Sequence, residues 1–125
     1  MLLKDTYVPN ADHEFISDIV AHELSVTGYT GGFAGAGRKT LAGTRTVPKD
    51  TTNNQTTLVS TLYPGWTGLS AGQNIGYAAL VKEVTNDAAS PIVSIIKVTP
   101  AFATGPDFNL TPDADGLLKL PALGY

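Results

Sequence analysis

The chain has 125 residues, a formal net charge of −3 and no cysteine, which excludes a disulfide framework and thiolate metal sites. Its eight Lys and Arg are scattered, so nothing marks a surface that tracks phosphates, and nucleic acid is not an expected partner. No stretch approaches the roughly 18 apolar residues of a membrane span. The opening Met1-Leu2-Leu3-Lys4-Asp5 meets charge too early for a signal peptide, so synthesis in the cytoplasm is expected.

Charged residues make up 15% of the chain, well below the roughly 25% of an average globular protein. Thr, Gly, Ala, Asn and Pro fill the difference, giving many turns and β-branched positions. A sparsely charged surface suits a protein partly covered by neighbours. The length fits one domain, 1–125.

In chain order, Met1 to Tyr7 reads as a short edge strand closed by Pro9-Asn10. A helix of about two turns follows. Asn10 or Asp12 caps it, Glu14 suits its positive end, and Phe15, Ile16, Ile19 and Val20 form its apolar stripe. His22 to Thr27 reads as a strand ending at Gly28. Gly31 to Gly37 reads as a flexible loop, since so many glycines are costly to order. Arg38 to Val47 and Gln55 to Leu62 alternate as strands around a turn at Pro48 to Asn54, and Pro64-Gly65 precedes a short extended piece at Trp66.

The strongest strands are Ile75 to Val84 and Ile92 to Val98. Both are apolar on both faces, and the polar link between them predicts an antiparallel hairpin. Phe108 to Leu110, a turn at Asp113 to Gly116 and a strand at Leu117 to Leu120 complete the series. The predicted class is mainly β, an antiparallel β-sandwich or jelly-roll-like barrel with one short N-terminal helix.

Five constellations invite chemistry. Gly32 to Gly37 has a phosphate-loop gap, but Arg38 intervenes before Lys39-Thr40 and a strand, not a helix, is expected to follow. His13, Glu14, Asp18, His22 and Glu23 hold metal-ligand residue types without metal-site spacing. Asp113-Ala114-Asp115-Gly116 opens like a calcium loop, but Leu117, Leu118 and Leu120 stand where later oxygens are needed. Glu83 and Asp87 form a carboxylate pair expected to be solvated. Tyr63, Trp66 and Tyr77 offer stacking platforms for a sugar, or core. None of these assembles an active site, so no catalytic residue, metal or cofactor is expected.

The run His22-Glu23-Leu24-Ser25-Val26-Thr27-Gly28-Tyr29-Thr30-Gly31-Gly32, followed by Arg38-Lys39-Thr40-Leu41-Ala42, resembles a recurring segment of small tailed-bacteriophage structural proteins. So do Thr6 to Asn10, Trp66, Ile75 to Val84, Ser90-Pro91-Ile92-Val93, Asp107 to Leu110 and Asp115 to Leu118. The longer glycine loop, Phe33 to Gly37, and the tail Pro121 to Tyr125 depart from it. The resemblance implies a virion component on the capsid surface: a decoration or cement protein, a dimer or trimer, bridging copies of the major capsid protein. Other implied positions are the tail, a head fibre or a vertex. Arms at 1–7 and 121–125 are the expected docking elements, with Leu2, Leu3, Tyr7, Phe33, Pro121, Leu123 and Tyr125 as candidate contacts.

Overall fold

The computed structural model describes residues 1–52, 55–111 and 118–121. In chain order the elements are β1 (Leu2–Lys4), α1 (Ile16–Ile19), β2 (Arg45–Thr46), β3 (Lys49–Asp50), β4 (Gln55–Ser60), β5 (Gly65–Trp66), β6 (Asn74–Val81), β7 (Ile92–Ala103), β8 (Phe108–Asn109) and β9 (Leu118–Pro121). The chain falls into two compact units. The first comprises 1–39 and 65–108; the second comprises 40–64 and the described residues from 109 onward.

The two runs richest in β-branched residues become the longest strands, as their pattern predicts. They form an antiparallel hairpin in a sheet of order β1-β6-β7. Their connection is fixed locally. The Asn86 side chain accepts from Ala89 N–H at 2.9 Å, and the fully buried Ser90 hydroxyl accepts from Val84 N–H and donates to Asn86 O.

At its far edge β1 pairs with β6. On its other side Leu24 N–H donates to Leu2 O, and Leu3 bridges to Glu23. The segment expected to be an edge arm is therefore flanked on both sides. Leu2 and Leu3 have no exposed surface, and Tyr7 is 2% exposed. These three are core residues, which corrects their assignment as partner contacts: apolar side chains packed beside β6 gain more from burial than an arm would.

The helix is shorter than expected, one α-turn followed by a 3-10 turn at Val20–His22. The Asp18 carboxylate reaches back to accept from the N–H groups of Glu14 and Phe15. Those bonds hold its pKa below the usual carboxylate value. One turn presents a narrow face, so Ile16 and Ile19 are buried while Phe15 and Val20 are exposed. Met1, Leu3, Tyr7, Ile16, Ile19 and Ala79 form a core cluster, with Tyr77, Val81, Ile92 and Ile95 packed against it. Tyr7 sits among aromatic neighbours, donating or accepting at His13 Nδ1 (3.0 Å), with His22 and Tyr77 edge-on to its ring.

His22 to Thr27, expected as a strand, is an irregular strap held by Ser70 and Gln73. Of the strand expected from Arg38 to Val47, Arg45–Thr46 alone is extended and paired. Gly65–Trp66 pairs with Phe108–Asn109 in a two-stranded sheet, and the Trp66 and Phe108 rings meet at 5.8 Å.

In the second unit β4 is the organiser. β2 and β3 pair with it in succession, and β9 also pairs with it through Gln55↔Pro121 to Leu58↔Leu118. All these pairings are antiparallel. The mainly-β class with one short helix is as expected, but among the described residues no barrel closes. The expected turn at 113–116 lies outside the described residues.

Candidate functional site: a buried ion-pair network

Three carboxylates of the first unit converge on one guanidinium. Arg38 follows the glycine run, whose turns are ordered by Gly35 N–H to Gly32 O, Gly37 N–H to Thr30 O and Arg38 N–H to Gly35 O. The run expected to be flexible is a tight double-back. At Gly37 a side chain would collide with the Tyr29 ring and the Thr30 backbone, so the close approach requires glycine there.

This turn points the Arg38 side chain inward, where it is 3% exposed. Its Nε and Nη2 donate to the two oxygens of Glu23 at 2.9 and 2.7 Å. Nη1 and Nη2 donate to the two oxygens of Asp87, and Nη1 reaches Glu83 at 3.3 Å. Two bidentate pairs and the Glu83 contact together use all five N–H groups of the planar fork, a geometry lysine cannot supply. Around Glu23, the Tyr29 hydroxyl donates to Oε1 and Gly32 N–H to Oε2, and Tyr29 in turn accepts from Leu2 N–H. Trp66, 3% exposed, donates its indole N–H to Gly37 O at 2.6 Å and closes the turn from below.

The electrostatics follow from these contacts. Burial pushes the Glu23 carboxyl up, but the hydrogen bonds from Arg38, Gly32 and Tyr29 and the Arg38 charge outweigh it, so its pKa lies below the ordinary value. Burial lowers the Arg38 pKa, and the bonds to Glu23 and Asp87 raise it further than burial lowers it. Burial and the Glu23 charge raise the Tyr29 pKa. Every one of these groups stays in its ordinary charge state around neutral pH. The Met1 amino group, donating to Ala79 O at 2.8 Å, differs: burial lowers its pKa to about 6.

The arrangement can fasten elements together, and its polar capacity is satisfied from within. Gly32 N–H and Arg38, the groups a phosphate would need, are taken by Glu23 and Asp87. The residues weighed as a metal cluster go separate ways: His13 to Tyr7, Asp18 to the helix start, Glu23 to Arg38. Among the described residues no group of three His, Cys, Asp or Glu is placed to hold a metal ion. Glu83 and Asp87, expected to be solvated, meet on Arg38. Trp66 is committed to the core and Tyr63 Oη accepts from Ser60 N–H, which leaves no Trp66 stacking platform.

Of the candidate contacts, Phe33 is 43% exposed at the glycine turn. Pro121 lies in β9, and Leu123 and Tyr125 fall outside the described residues. Sequence reasoning took Arg38 as an interruption of a phosphate loop and missed it as the hub. The available signal was a lone arginine directly after a glycine run in a chain poor in charge.

No family model, no curated protein and no solved structure matches this chain. Among the described residues no helix is long and apolar enough to cross a membrane.

Proposed function

We propose that the protein is a structural component of a phage virion, a capsid decoration protein that binds the outside of the head and bridges copies of the major capsid protein. The observation that carries this reading is the use made of the residues behind the resemblance. Glu23, Tyr29, Gly32, Arg38 and Trp66 are spent on one internal fastening, so the segment works as scaffold and not as a reaction site. Large apolar side chains remain exposed at turns and strand ends, among them Val8, Phe33, Val47, Leu62 and Val84. Such side chains are available to a partner, and many modest contacts made by an oligomer add through effective concentration.

Co-sedimentation with expanded capsids lacking the protein tests the reading. Stoichiometric binding per major capsid subunit, with a rise in capsid melting temperature, is expected. A few copies per particle would move the protein to the tail or a vertex, and no binding would overturn the head assignment. The reading as a carbohydrate-binding module loses its main platform with Trp66 buried.

A further inference from the structure

β7 borders β6 on one side, and no other described strand pairs with it. Which of its main-chain groups face outward follows from the opposite edge of the sheet. Met1 and Ala79 exchange both backbone bonds, 2.8 and 2.9 Å, so the Ala79 main chain faces β1. Hydrogen-bonded and non-hydrogen-bonded pairs alternate along an antiparallel ladder. Ala79↔Ile95 and Tyr77↔Lys97 are therefore non-hydrogen-bonded pairs, and the N–H and C=O groups of Ile95 and Lys97 point away from β6.

Both ends of this stretch are closed. At the start, Ile92 N–H donates to Glu14 O, Ile16 N–H donates to Ser90 O, and Phe15 bridges to Pro91, so residues 14–16 already fill the neighbouring lane. At the finish, the register jumps from Tyr77↔Lys97 to Ile75↔Phe102, and Val98 to Ala101 bulge out of the ladder. Between these ends about five residues have no described strand beside them, a length that fits a strand that itself leaves the lane just past the window. β7 is such a strand, because its own bulge begins at Val98.

We infer that this edge is an interface between two copies of the chain, in which Ile95 and Lys97 of one β7 pair antiparallel with Lys97 and Ile95 of the other about a two-fold axis at Ile96. This register uses all four outward groups of each copy, giving four backbone bonds, whereas centring on Ile95 gives two. It also sets Lys97, the one charge on β7, across from an isoleucine. A parallel in-register pairing would set Lys97 against Lys97 at a strand spacing of about 4.8 Å. The isologous contact joins two three-stranded sheets into one of six. It does not depend on the virion reading.

The chain has no cysteine, so a single Ile96→Cys places two thiols on the axis with Cα atoms about 4.5 Å apart, inside disulfide range. Mild oxidation is expected to give a covalent dimer of twice the 13.0 kDa chain mass, while Val93→Cys, exposed on the same strand, gives much less. Lys97→Pro removes one outward donor and is expected to weaken the dimer tenfold or more in sedimentation equilibrium, with the circular dichroism spectrum kept. Cross-linking through Val93→Cys in place of Ile96→Cys would overturn the register. A wild-type chain that stays monomeric at its highest soluble concentration would overturn the interface. Dimerisation that appears upon deletion of residues 122–125 would show the edge occupied by the chain's own terminus, and would overturn it too.

Discussion

The two units of this chain are both antiparallel β, yet they are held by different means. Among the residues whose burial is described, every large apolar residue of the core belongs to the first unit, together with the Arg38 network. In the second, Ser60, 9% exposed, is the one buried residue among those whose burial is described, and its hydroxyl donates to Ala42 O. There β4 is gripped by backbone ladders with half-buried side chains. The difference teaches that strand pairing and core formation are separable: a ladder aligns the chain, while burial and desolvated charge set how firmly it holds.

The largest expected effect lies at the hub. Arg38→Ala leaves Glu23, Glu83 and Asp87 without their shared cation, and losing one partner of a buried pair costs about 3–5 kcal/mol. Urea denaturation is expected to show that loss in the first unit; a loss below about 1 kcal/mol would mean the network is dispensable. Removing the Trp66 side chain in Trp66→Ala should cost about 3–5 kcal/mol, through the lost ring and the unpaired Gly37 carbonyl.

A pH series sharpens the same contrast. For the chain beginning at Met1, the folded amino group has a pKa of about 6 against 8.0 for the free group. Between those values the unfolded chain holds more protons, so stability falls as pH drops from 8 to 6. Two units correspond to at most about 2.7 kcal/mol. Glu23, whose folded pKa is lowered, contributes stability that is full above its unfolded pKa and lost further into acid. Thermal melts across pH 5–9 follow the first effect, and a flat profile from 8 to 6 would refute it.

The smallest effect belongs to the surface of the second unit. Leu62→Ser at a side chain 57% exposed is expected to shift stability by no more than about 0.5 kcal/mol. Hydrogen exchange completes the comparison: amides of β4 should exchange before those of β6, and the reverse order would break the distinction drawn between the units.

How legible this was depends on the range of the forces involved. The β6–β7 hairpin could be read because β-branched runs and a turn-rich link are local facts. The helix was placed but overextended, since Phe15 and Val20 carry the right pattern and lie off the narrow face that one turn presents. The burial of Leu2, Leu3 and Tyr7 is not legible in the sequence, because terminal position says nothing about which strand a segment will meet. The glycine run looks flexible in the sequence because the partners that order it, Glu23 and Trp66, are distant in the chain.

By itself, then, the sequence determined the β class, the two long strands with their connection, and the poverty of charge that makes each ionisable residue count. Tertiary structure alone decided that Arg38 turns inward, that Glu23 and Asp87 meet on it across intervals of 15 and 49 residues, and that β1 lies flanked on both sides. The reason is physical. Periodicity and turn chemistry act between neighbours in the chain, whereas desolvating a guanidinium is tolerable only where distant carboxylates arrive together, and no local pattern encodes that arrival.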